Sequence, residues 1–219
     1  MDRKQVLEKF SSLLAIQSVS TDKKRHNEIL KAAEFIKKEL EDLGCHVNLY
    51  TKNNCPPLIV GKKIVSSKAK TIGVYAHYDV QPEDPVQEWE TPPFKLTVKN
   101  GKILGRGVAD DKGHLVEILT AAANLIEKNQ LKNNLVFIFE GEEEVGSVHF
   151  EDLIKKDQSL KDADVFYIVD MGMKDKNIPQ VFYGLRGVMA FELKVRTSKT
   201  DLHSGVFGNR VFNPAQLLA

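Results

Sequence analysis

Residues 135–147 read "LVFIFEGEEEVGS". The first five are apolar without a break, the signature of a short strand buried on both faces. Glu140, Glu142, Glu143 and Glu144 follow at once. Strands of this kind belong to α/β layers, where ligands bind outside the carboxyl ends of the strands. Carboxylates crowded at such a place repel one another, and a bound cation would relieve that repulsion.

The rest of the chain fits an α/β class. Val6, Phe10, Leu13, Leu14 and Ile16 have helical spacing, with Asp2 as the predicted N-cap. Residues 27–47 predict a second amphipathic helix, with Ile29, Leu30, Ala33, Phe35, Ile36 and Leu40 on its apolar face and Gly44 as its stop. Strand-like runs follow at 46–50, 57–62 and 71–80, and Asn100-Gly101 predicts a hairpin turn. A helix is expected after Asp110-Asp111, another at about 148–156, and strands at 165–170, 180–185 and 187–195. Beyond Gly187 the pattern changes, which predicts a domain boundary between 1–186 and 187–219.

Composition narrows the function. The 219 residues carry a net charge of +1, which gives no electrostatic case for nucleic acid or an anionic membrane. The charged N-terminus lacks a signal-peptide pattern, and no stretch approaches membrane-spanning length. Two cysteines, Cys45 and Cys55, make no disulfide framework, so a reduced, cytoplasmic protein is expected.

Four segments bring metal-ligating residue types to strand ends or strand-to-helix turns. The run 72–80 ends in His77-Tyr78-Asp79, and alternation puts His77 and Asp79 on one face. The glutamates end the 135–139 run, Asp170 ends the 165–170 run, and Asp110-Asp111 opens a helix. Each alone has an ordinary role: a local hydrogen-bonded pair, a solvated turn, or a helix cap. Together they point to a metal centre, since imidazole and carboxylate are ligands of catalytic zinc. The Gly105/Gly107 turn lacks the third dinucleotide glycine, and its acids would repel phosphate. There is no Gly-x-Ser-x-Gly elbow and no motif around either cysteine. The remaining histidines, His26, His46, His114 and His149, read as packing or surface residues without an acidic partner at ligand spacing.

"HYDVQP" (77–82), "GRGVADDKG" (105–113), "EGEEEVGS" (140–147), "YGLRG" (183–187) and "DLHSGVFG" (201–208) together resemble the di-zinc metallopeptidases that include carnosinases, aminoacylases and succinyl-diaminopimelate desuccinylase. The pattern is most similar to the cytosolic non-specific dipeptidase branch. The resemblance implies a central mixed sheet flanked by helices, a phosphorylase/hydrolase-like zinc peptidase domain, followed by the start of an inserted α+β lid. It implies that His77, Asp110 and Asp170 bind one zinc and that Asp110 and Glu144 bind a second, with Asp110 shared. Asp79 would orient His77, and Glu143 would be the general base. His203, from the lid, would steady the oxyanion in a neighbouring subunit's site. Two zincs about 3.5–4 Å apart can share such a carboxylate and activate water. Manganese or cobalt would suit the same oxygen-rich ligands.

Members of that family are about twice this length, and their returning half carries the last histidine of the second zinc. The expectation is therefore an N-terminal part of a dipeptide hydrolase, with low or no activity on its own. The small-peptide substrate and the lid-mediated homodimer are expectations for the full-length family. Two other readings follow: a non-catalytic metal-binding fragment or half of a split protein, and an N-acyl-amino-acid deacylase or desuccinylase.

Overall fold

The computed structural model describes residues 1–175 and 177–219. Asp2 caps helix α1 (Arg3–Ala15), accepting from the Gln5 N–H while the Gln5 side chain accepts from the Asp2 N–H. Helix α2 (His26–Asp42) buries Ile29, Ala32, Ala33, Ile36 and Leu40, a single 3.6-period stripe. Leu30, expected on that stripe, lies at its margin and is exposed.

Strands β1 (His46–Tyr50), β2 (Leu58–Lys63) and β3 (Thr71–His77) follow. A hairpin of β4 (Thr97–Lys99) and β5 (Lys102–Leu104) turns at Asn100 and Gly101, both with positive φ (52° and 74°). Helix α3 (Lys112–Glu127), β6 (Asn134–Glu140), the short helix α4 (Phe150–Ile154) and β7 (Val165–Ile168) come next.

The main sheet has the order β1-β2-β6-β3-β7. β3 runs parallel to both β6 and β7, whereas β2 is antiparallel to β1 and β6, so the sheet is mixed as expected. The opening stretch explains the layering. Leu135, Phe137 and Phe139 pack with α1, α2 and α3 on one face, while Val136 and Ile138 pack with Leu153 and Leu160 on the other. A strand clamped between two apolar layers has no polar face, hence its unbroken apolar run. The parallel trio β6-β3-β7 then directs three strand ends, His77, Glu140 and the chain approaching Asp170, to one edge.

The chain divides into two compact units, Met1–Gly172 and Met173–Ala219. The sequence change at Gly187 falls inside the second. That unit holds α5 (Ser204–Phe207), N-capped by His203, and α6 (Pro214–Leu218), N-capped by Asn213 with Pro214 in its first turn. Residues 180–195 form neither of the two strands that their alternation predicts. Val181, Tyr183, Val188 and Phe191 are at least 80% exposed, and no strand among the described residues pairs with the segment. Alternation without a hydrogen-bonding neighbour does not make a strand.

Candidate metal centre

His77, the last residue of β3, is fully buried. Its Nδ1 lies 3.1 Å from the Asp79 carbonyl oxygen and 3.3 Å from an Asp79 carboxylate oxygen. With acceptors on that side, the neutral ring carries its proton on Nδ1, and Nε2 faces the acids. Nε2 is 2.8 Å from Asp110 Oδ1 and 3.9 Å from both Asp170 Oδ2 and Glu143 Oε2. The buried Asp79 carboxylate also accepts the N–H groups of Glu143 (3.2 Å) and Glu144 (3.1 Å). One aspartate therefore sets both the imidazole and the loop after β6.

The Asp110-Asp111 turn is equally tied down. Asp111 is buried and accepts from the His77 N–H (2.9 Å) and contacts His114 Nδ1 (2.7 Å). Lys112, also fully buried, donates to the carbonyls of Leu13 (3.1 Å) and Ile16 (2.5 Å), fastening the turn to the end of α1. Burial pushes the Lys112 ammonium down to about 7.

Two overlapping donor sets result, each with all donor atoms within 4.8 Å of one another: His77 with Asp110 and Glu144, and His77 with Asp111 and Asp170; among the described residues the expected trio of His77, Asp110 and Asp170 is not such a set, Asp111 standing where Asp110 was expected. Six residues singled out from the sequence, His77, Asp79, Asp110, Glu143, Glu144 and Asp170, thus meet at one place. His203 lies in the second unit, where its Nδ1 accepts from the Gly205 N–H (3.0 Å). Four supporting side chains were not singled out from the sequence. Gln81 donates to Glu144 (2.6 Å), and Tyr75 and Ser147 donate to Glu140 (2.6 and 2.9 Å). His114 is the fourth, paired with Asp111 and not left to packing or solvent; its i,i+3 spacing on a helix was the available signal. His149 is a further correction, since it has an acidic partner in Glu142.

Burial works against a charged His77, but Asp79, Asp111 and Asp170 outweigh it and push the imidazole up to about 10. Burial raises Glu143 and Glu144 above the usual carboxylate range, with neighbouring acids adding to it. Glu140 is pushed up to about 7 by burial, against the hydrogen bonds from Tyr75 and Ser147. A set of carboxylates concentrated around one imidazole nitrogen fits a divalent cation in both ligand type and charge.

Such a cluster at the carboxyl ends of parallel strands has the makeup of a metal-dependent hydrolase site. Residues 73–199 match the model of peptidase family M20/M25/M40, and the chain belongs to that family of metallopeptidases. It is 36% identical to the Cys-Gly metallodipeptidase dug1 of Schizosaccharomyces pombe, over 94% of this chain and 46% of that protein. It is 37% identical to the Beta-Ala-His dipeptidase of Homo sapiens, over 75% of this chain and 33% of that protein. The structure of the dipeptidase Dug1p from Saccharomyces cerevisiae superposes with a TM-score of 0.81 at 31% identity, covering 99% of this chain and 48% of that one. The chain spans about half the length of these yeast relatives. Divalent metal ions are the cofactors that such metallopeptidases use. No helix among the described residues is long and apolar enough to cross a membrane.

Proposed function

We propose that this chain carries the metal-binding catalytic part of a zinc-dependent dipeptide hydrolase. The supporting observation is the meeting of His77 with Asp110, Glu144, Asp111 and Asp170 at one sheet edge. In this reading His77, Asp110 and Asp170 hold one zinc, and Asp110 and Glu144 contribute to a second. Manganese and cobalt are alternative occupants. When bound, the ions supply Lewis acidity that polarises the scissile carbonyl and the attacking water.

The chain's own residues do the rest. Asp79 fixes the His77 tautomer and holds the backbone of Glu143 and Glu144. Glu143, left out of both donor sets, takes the proton of the attacking water and returns it to the leaving amine. His203, delivered from the lid of a neighbouring copy as the resemblance implies, donates to the oxyanion. A donor of that kind is typically worth about 3–4 kcal/mol.

One observation favours a second reading, metal binding with little turnover by this chain alone. Among the described residues, His77 is the only imidazole in the two donor sets, since His114 is turned to Asp111. The two readings separate in one assay of dipeptide hydrolysis by the zinc-loaded chain. Slow hydrolysis that chelation and Glu143→Gln both abolish is expected. Bound zinc without any hydrolysis would select the second reading, and hydrolysis indifferent to Glu143→Gln would refute the first.

A further inference from the structure

The loop after β6 has a second side. Glu143 and Glu144 turn toward His77, whereas Glu142 turns away and meets His149 and Cys55. We propose that Cys55, Glu142 and His149 form a separate site for a zinc-class divalent cation.

Topology brings the three together. β2 and β6 are antiparallel with Ile59 opposite Phe139, so the β1–β2 connection and the loop after β6 share one sheet edge. Tyr78 bolts the two segments: its hydroxyl donates to the Pro57 carbonyl (2.6 Å), and its ring lies against Gly141, where a Cβ would come within 2.5 Å. Cys55 is thereby set beside Glu142. His149 Nδ1 lies 3.0 and 3.1 Å from the two Glu142 carboxylate oxygens, and the His149 N–H donates to one of them (3.2 Å). Among the described residues the Cys55 sulfur accepts the Lys52 N–H, at 3.3 Å. All three donor atoms lie within 4.8 Å of one another. The neighbouring cations are engaged elsewhere, Lys52 with Asp152 and Lys156 with the Thr51 carbonyl.

The donor chemistry names the ion. Thiolate, imidazole and carboxylate are the three ligand types of zinc, and three protein ligands leave one position for solvent. Magnesium and calcium want all-oxygen sets and are excluded by the sulfur. Burial holds the Cys55 thiol above its ordinary range, so the thiol keeps its proton until a cation displaces it. Binding then forms metal–sulfur, metal–nitrogen and metal–oxygen bonds and releases the thiol proton to solvent. The three side chains are distinct from the His77 donor sets, so the site stands whether or not the chain hydrolyses dipeptides.

The test is a cadmium titration of the chain, read by the ultraviolet thiolate-to-cadmium charge-transfer band. The band is expected to rise to a plateau of one cadmium–thiolate bond per chain, whatever cadmium the His77 cluster also takes, and zinc is expected to quench it by competition. Cys55→Ser should abolish it, and His149→Ala should weaken cadmium binding at least tenfold. Cys45→Ser and His77→Ala should both keep the band. Circular dichroism and the thermal midpoint of each variant establish that it is folded, with His149→Asn as the second variant should His149→Ala not be. No band at saturating cadmium in either the parent chain or His77→Ala, a band surviving Cys55→Ser, or affinity unchanged in folded His149 variants would overturn the site.

Discussion

The two sides of the loop after β6 use neighbouring residues of one type for different ends. On one side Glu143 and Glu144 join His77, Asp110 and Asp170 in an oxygen-rich, strongly acidic cluster. On the other, Glu142 joins a thiol and a single imidazole. Three consecutive glutamates are chemically identical in the chain, and the neighbours they meet decide what each can do. Asp79 turns the backbone of Glu143 and Glu144 toward the first cluster, and the Tyr78–Gly141 contact sets the loop that presents Glu142 to the second.

The contrast predicts graded effects. The largest is Glu143→Gln, which should lower dipeptide turnover by about 10²–10⁴-fold while metal binding persists, since the amide cannot relay a proton. Calorimetry of metal binding beside the hydrolysis assay separates the two quantities, and loss of the metal in this variant would place Glu143 among the ligands. Next is Asp79→Asn, which should weaken metal binding at the acidic cluster by about 10–100-fold through the misplaced His77 ring. The cadmium–thiolate band should be indifferent to it.

The third effect is pH dependence. The folded His77 imidazole sits up at about 10, above its ordinary 6.5. In the metal-free protein its contribution to stability is fully present below pH 6.5 and is lost as pH rises toward 10. Each ion bound there must displace that proton, so apparent metal affinity should rise by up to about tenfold per pH unit between 7 and 9. A flat profile over that range would mean that the acids do not protonate His77. The smallest effect is Tyr78→Phe, which leaves the Pro57 carbonyl without its buried donor and should cost about 1–3 kcal/mol in urea denaturation.

The acidic cluster was legible in the sequence because its parts obey a positional rule. His77, Glu140 and Asp170 each end or follow an apolar run, and parallel strands deliver such ends to one edge. The strands themselves were legible where a partner exists. Residues 180–195 alternate as convincingly as any strand in the sheet, yet they stay irregular, because pairing is a property of two segments and the sequence shows one. The second cluster was illegible for a related reason. Cys55 lies in a turn with no motif around it, and the acid at helical spacing from His149, Asp152, pairs with Lys52 instead, while its actual partner Glu142 lies seven residues upstream across a loop. Only the antiparallel register of β2 on β6 makes neighbours of residues 87 to 94 positions apart.

In the proposed centre, distant segments converge on His77 to grip a divalent cation. Counting tightly bound zinc on the purified chain and on its folded His77→Ala variant tests it most directly. His77→Ala is expected to lose one tightly held ion while the cadmium–thiolate band remains. Equal zinc content in the two proteins would contradict it.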